Sequence, residues 1–215
     1  MAARIAAGWL FSEGILTSSD EISSISESCN LVRLKIMPKA AFNVRGIERS
    51  SYVSSSCGVC GKTSIETLRS RVRFKVTSGT PVLRSEVVCE LPKNLWKAQS
   101  VFQQTGGLHA AALFNCSGEL LSIREDVGRH NAVDKLVGRE FLKGNVPLSE
   151  NGLLLSGRAS FELVQKAAMA GIPIIVAVGA PSSMAVEMAR SFQLTLVGFV
   201  RGEQFNVYCG GERLQ

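Results

Sequence analysis

Residues 152–179 read GLLLSGRASFELVQKAAMAGIPIIVAVG, and their reading decides the fold. A short apolar strand, GLLLS, gives way to a helix, ASFELVQKAAMAG, that stops at Gly171, a residue free to take the left-handed turn that ends many helices. The stretch IPIIVAVG that follows is almost wholly apolar. A strand without a polar face is one covered on both sides. Strand, helix and buried strand in succession predict an α/β layer fold.

The alternation extends in both directions. Downstream, SSMAVEMARSF reads as a helix and LTLVGFVR and FNVYCG as strands. Upstream, GRHNAVDKLVGREFLKG is a helix with Val133, Leu136 and Val137 on one face and Gly144 at its end. HAAALFNCSGELLSIRE is a hairpin around NCSGE, and PKNLWKAQSVFQQTGG is a helix started by Pro92 and stopped by Gly106. Before about residue 90 the chain is Ser-rich and irregular, with LVRLKIM (31–37) as a half-buried strand. The expected organisation is a smaller lobe over 1–90 and an α/β lobe over 91–215. Ligands of such sheets sit on loops at strand ends. TGGLH, EDVGRHN, LSGRAS and VGAPSS carry the small residues and open backbone N–H groups that suit a phosphate-bearing ligand.

Apolar residues make up 46% of the 215 residues and charged ones 20%, which gives a globular chain with ample core. The net charge is +6. Its densest patch, RSRVRFK, places Arg69, Arg71, Arg73 and Lys75 on one face of a predicted strand, either as a guarded edge or as a strip for an anionic partner. No helix-turn-helix, zinc finger or aromatic RNA platform is present, so nucleic acid is not an expected partner. The longest apolar run, 170–180, falls short of the roughly 20 residues of a membrane span. The start lacks the pattern of a secretory leader, and the cysteines are scattered apart from one pair. A cytosolic protein with reduced thiols is expected.

That pair lies in SYVSSSCGVCGKTSIE (51–66). Thr63 and Glu66 have the spacing of a capping box, so Cys57 and Cys60 come just before a helix start. The positive helix end and Lys62 favour thiolate over thiol, while Gly58 and Gly61 leave little bulk around the sulfurs. Four chemistries are open: half of a zinc site, a dithiol couple, a persulfide that carries sulfur, or inert turn cysteines. Zinc would need further ligands, yet there is no second C-x-x-C and the histidines are only His109 and His130. A zinc deaminase would show H-x-E, whereas Ala111 stands two residues after His109. Thioredoxin-like surroundings are missing too. Sulfur carriage fits these neighbours best.

REDVGRHNAVDK packs Arg124, Glu125, Asp126, Arg129, His130, Asn131, Asp134 and Lys135 together. It reads as a mutually paired helix start, or as a junction at which His130 moves protons and Arg129 clamps phosphate. His109 reads as a core histidine with satisfied nitrogens.

SSSCGVCGK, TGGLHAAALF, EDVGRHNAVDKLVG, LSGRASFELVQKAAMAGIPIIVAVGAPSSMAVEMA and TLVGFVRGEQFNVY together closely resemble the formate dehydrogenase accessory sulfurtransferase family (FdhD) across essentially the whole chain. The resemblance implies a cytidine deaminase-like three-layer domain with a mixed sheet, without the deaminase zinc, and a homodimer in the cytosol. It implies that a cysteine desulfurase supplies persulfide sulfur, which is passed to the molybdenum of the bis(molybdopterin guanine dinucleotide) cofactor of formate dehydrogenase. By the same resemblance Cys57 bears the persulfide and Cys60 assists it or shares the role, and Phe199, Val200, Arg201, Gly202, Glu203, Gln204 and Asn206 lie in the cofactor-binding stretch. Helix proximity by itself would favour Cys60. Family members usually begin with extra strands before the segment that here reads RIAAGWLFSEGIL, so the N-terminal lobe is expected to be truncated. The alternatives are a delivery chaperone that binds the molybdopterin without handling sulfur and, more remotely, a zinc hydrolase.

Overall fold

The computed structural model describes residues 2–29, 31–37, 65–66, 68–76 and 79–215. Cys57, Cys60 and the capping box at Thr63 lie outside the described residues. The described residues form two sheets. A hairpin of β1 (Ile22–Ser28) and β2 (Leu31–Ile36) stands apart from a six-stranded mixed sheet in the order β4-β3-β5-β6-β7-β8. The six strands are β3 (His109–Phe114), β4 (Leu120–Asp126), β5 (Gly152–Leu155), β6 (Ile174–Ala177), β7 (Thr195–Arg201) and β8 (Gln204–Cys209). β5, β6 and β7 run parallel and the others antiparallel to their neighbours.

Period-two patterning splits the core into two layers. Ala110, Ala112, Phe114, Leu154, Ile174, Val176 and Val197 face a helix α2 (Ser85–Ala98) through its Val87, Val88, Leu91 and Leu95. The alternate residues Ala111, Leu113, Leu153, Leu155, Ile175, Ala177 and Leu196 face α1 (Ala2–Ser12), α4 (Arg129–Leu142), α5 (Phe161–Met169) and α6 (Ser183–Ser191). A short helix α3 (Ser100–Thr105) follows α2. The result is helices, sheet and helix in three layers. β5 and β6 are buried at every position, as their unbroken apolar runs require.

Two expectations change. Pro92 does not start its helix: α2 begins at Ser85 and runs through the proline, because Val87, Val88, Leu91 and Leu95 form one continuous stripe on the sheet. Packing of that stripe outweighs the hydrogen bond the proline cannot make. Nor do Arg69, Arg71, Arg73 and Lys75 share a strand face. Residues 72–76 pair with no strand among the described residues, and the Arg71 guanidinium turns back to the Glu13 carbonyl (3.3 Å).

α1 crosses α4 at backbone distance. A Cβ on Gly8 would lie 2.1 Å from the Asp134 carbonyl oxygen, and one on Gly138 would lie 2.0 Å from that of Arg4. Ala7, Phe11 and Leu16 thereby join the core of the α/β layers.

Candidate functional site

Strand direction brings the small-residue loops to one edge of the sheet. β5, β6 and β7 are parallel, so the loops after β5 (156–160) and β6 (178–182) and the turn after β7 lie side by side. β3 is antiparallel to β5, with Ala111 beside Leu155, so TGGLH arrives at the same edge. β4 ends there with Asp126 beside His109, which adds EDVGRHN. The loops are stitched by backbone hydrogen bonds: Gly179 to Gly157 (3.0 Å), Ala159 to Ala180 (3.1 Å), Ser182 to Ala159 (3.0 Å) and Phe199 to Gly179 (3.2 Å). Glycine permits this closeness, since a Cβ at 179 would lie 2.9 Å from the Arg158 nitrogen.

A cavity of about 540 Å3 opens at this edge, on the α2 side. Trp96 and Phe102 supply aromatic walls, Gly106 and Gly107 a bare rim, and His109 and Ser156 polar groups. Gly106 sits at φ 66°, the left-handed turn that ends α3 and leaves the chain free to enter β3. The Ser156 hydroxyl accepts from the Ala110 amide at 2.8 Å. The His109 ring has no hydrogen-bond partner within the described residues. It is therefore not the satisfied core histidine that its apolar neighbours suggest, and both its nitrogens are available to a ligand. The ring lies against Gly157, where any Cβ would come within 3.3 Å of Nδ1.

His130 is treated differently. Its Nε2 meets the Glu162 carboxylate at 2.7 Å and the Ser160 hydroxyl at 3.0 Å. One turn on, Lys166 bonds Asp134 at 2.7 Å in a buried pair. His130 and Asp134 on α4 thus face Glu162 and Lys166 on α5, an i, i+4 ladder that ties the two helix starts together. The hydrogen bond from His130 lowers the Glu162 pKa. Burial raises the Asp134 pKa against the pull of Lys166. Asp126 is pushed up by burial, yet its bonds from Lys135, the Gly128 amide and Asn131 bring it below the ordinary carboxylate value. Glu125 caps α3 through the Val101 and Phe102 amides at 3.2 and 2.8 Å.

Of the C-terminal stretch expected to bind cofactor, Phe199 has φ 55° and is 38% exposed, an uncommon backbone state for a bulky residue. It lies in a bulge between Gly198 and Arg201, and the Arg201 guanidinium stands 5.9 Å from its ring centroid. Gly202 (φ 56°) and Glu203 make the two-residue turn to β8, where Gln204 and Asn206 are exposed. Val200 is 1% exposed and packs in the α2-side core. Trp96 and Phe102 went unread in the sequence, whereas Ser156 lies in the LSGRAS loop expected to meet a ligand. An exposed tryptophan on an amphipathic helix gives no signal until the loop beyond it folds back. Among the described residues no group of three or more His, Cys, Asp or Glu is arranged to hold a metal ion.

The FdhD/NarQ family model matches residues 2–215. A protein of Streptomyces avermitilis named sulfur carrier protein FdhD is 51% identical over 98% of this chain and 78% of its own length. One of the same name from Mycobacterium tuberculosis is 41% identical over 96% of this chain and 80% of its own. The crystal structure of a putative formate dehydrogenase accessory protein from Desulfotalea psychrophila superposes with a TM-score of 0.74 at 26% identity, covering all of this chain and 80% of that one.

Proposed function

The chain belongs to the FdhD/NarQ family, and on that premise we propose that it is a sulfur carrier serving formate dehydrogenase. Relatives named for sulfur carriage and an accessory protein of like fold support this reading. The observation that carries the ligand side is the gathering of bare loops, an aromatic-walled cavity and a histidine without a hydrogen-bond partner among the described residues at one sheet edge.

The Cys57 thiolate attacks the terminal sulfur of a persulfide on a cysteine desulfurase. The donor's S–S bond breaks, its thiolate leaves, and a new S–S bond forms on Cys57 with no net change in oxidation. Cys60 assists the release. The acceptor is molybdenum in the bis(molybdopterin guanine dinucleotide) cofactor, which is substrate here, and the protein acts as a homodimer in the cytosol. The residues suit such a substrate. Trp96 and Phe102 offer faces for a flat ring, His109 offers a donor or acceptor, and exposed Arg201, steadied on Phe199, suits a phosphate. Phe199 to Asn206 does not line that cavity; it would contact the ligand beyond the cavity, from the turn after β7, with Val200 as the core anchor of the turn. In this division residues 1–90 supply the sulfur and 91–215 hold its acceptor.

Incubation with a desulfurase and cysteine should add about 32 Da to the Cys57–Cys60 peptide by mass spectrometry, as persulfidation of a cysteine requires. The Cys57→Ala variant should fail to restore formate dehydrogenase activity in cells that lack the protein. Because the ligand-like features stand without the cysteines, a delivery chaperone is the second reading. It predicts that both cysteines can be replaced at little loss while Arg201→Ala abolishes function.

A further inference from the structure

Among the described residues, one face of the β1–β2 hairpin is exposed. Ile25 and Leu34 pair on its inner side, and Ile22, Leu34 and Ile36 pack against the main core. On the outer side of β2 stand Leu31, Arg33, Lys35 and, just past the strand, Met37, all exposed. Leu31 is 54% and Met37 48% exposed, large apolar side chains at either end of a pair of cations. Across the ladder, Lys35 faces Ser24, Arg33 faces Ser26 and Leu31 faces Ser28. Self-contained hairpins set opposite charges or bulky partners across such pairs; here each cation meets only a small hydroxyl. Neither Arg33 nor Lys35 has a side-chain ion pair or hydrogen bond within the described residues.

A second segment carries two more exposed cations. Val72, Phe74 and Val76 pack against the same core as Leu34 and Ile36, which leaves Arg73 and Lys75 exposed, likewise without partners among the described residues. The two segments are linked through residues 17–21, which lead into β1. Arg73 and Thr17 line one cleft of about 160 Å3, the Thr17 amide donates to the Glu21 carboxylate at 3.0 Å, and the Glu21 carbonyl accepts from the Met37 amide at 2.8 Å. In sequence they lead into and out of the stretch that holds Cys57 and Cys60.

We infer that this face, Leu31, Arg33, Lys35 and Met37 extended by Arg73 and Lys75, docks an acidic surface of the protein that donates sulfur to Cys57. The inference rests on the sulfur-carrier reading above. Four cations without an ion-pair partner among the described residues supply long-range attraction and orientation. The two apolar side chains supply the water-excluding contacts of an interface, where Arg and Met are enriched over other surface residues. An acidic protein meets both demands and a nucleic acid only the charge; an anionic membrane, which would also take the apolar side chains, predicts no effect of charge reversal on loading in vesicle-free solution.

The test loads wild type and the Arg33→Glu/Lys35→Glu variant from two sources, a pyridoxal-phosphate cysteine desulfurase with cysteine, and inorganic polysulfide, which needs no docking. Polysulfide gives up a terminal sulfur to the thiolate and leaves as the shorter chain, so the product is the same persulfide. Initial loading rates are read by mass spectrometry. The variant is expected to lose about tenfold or more of the desulfurase rate at low salt, with the gap narrowing as salt rises, and to keep the polysulfide rate. Arg33→Lys/Lys35→Arg should load as wild type from both sources, and so should Lys143→Glu, a charge reversal on an exposed residue after α4. Equal desulfurase rates for wild type and the Glu variant overturn the docking surface, and so does a change of oligomeric state with loading untouched. Loss of both sources in the Glu variant alone also overturns it, because the damage is then to the thiol and not to docking. If wild type itself takes sulfur from neither source, the sulfur-carrier reading falls and the docking role falls with it.

Discussion

At the amino end of β5 the ring of Phe114 fills the space a side chain at 152 would need, with Cζ 2.0 Å from where its Cβ would stand. At the carboxyl end of the same strand Ser156 borders a cavity of about 540 Å3. One end is closed by apolar packing and the other is ringed by hydroxyls, imidazoles and carboxylates. Both ends carry glycines, for different reasons: Gly152 makes room for a core ring, whereas Gly157 and Gly179 let loops approach each other. The difference follows from strand direction. Parallel strands present all their outgoing loops on one side, where helix starts leave N–H groups free, and the opposite end is left to apolar packing.

That contrast can be broken or sharpened by substitution. The largest stability effect is expected beneath the open edge. Lys166→Met strands Asp134 in a buried site and should cost about 3–5 kcal/mol by denaturant unfolding, while Asp134→Leu/Lys166→Met should recover much of it. Full stability of the single variant would show that the ladder carries no structural load. At the closed end, Gly152→Ala should cost about 1–3 kcal/mol through overpacking against the buried Phe114 ring, and leave guanine-nucleotide binding intact in the folded fraction. Trp96→Ala should do the reverse. Trp96 is 58% exposed, so stability should stay within about 0.5 kcal/mol, but binding of GDP, measured by calorimetry, should weaken by about tenfold, as loss of one stacking face implies. Unchanged affinity would remove the cavity from the ligand site.

The smallest effect is a shallow dependence on acid. Unfolded Glu162 binds its proton near pH 4.5, and folded Glu162 does so only at lower pH because His130 hydrogen-bonds the carboxylate. The stabilisation is therefore complete above pH 4.5 and is lost as pH falls through the folded value. His130→Gln should flatten this part of the stability curve; an unaltered slope would mean that the bond contributes nothing.

Most elements of the α/β half were legible because their signals are local. Gly106, Gly144 and Gly171 end helices at positive φ where their positions predict it, and the apolar runs of β5 and β6 announce burial on both faces. The start of α2 was misread because Pro92 is a strong local signal and the stripe of Val87, Val88, Leu91 and Leu95 that overrides it gains its energy only against the sheet. RSRVRFK alternates like a strand, but alternation fixes which side chains face inward, not whether a neighbouring strand pairs with it.

By itself the sequence determined the layer fold, the family and the candidate chemistry of Cys57 and Cys60, since these rest on residue types at fixed spacing. Tertiary structure alone decided that four loops spread over some eighty residues, together with the turn after β7, share one edge. It also decided the fates of the two histidines. His130 is claimed by Glu162 and Ser160, 32 and 30 residues away, whereas His109 faces a cavity walled by Trp96 and Phe102. Hydrogen-bond satisfaction depends on what the fold places within about 3 Å of a nitrogen, and no local pattern encodes that.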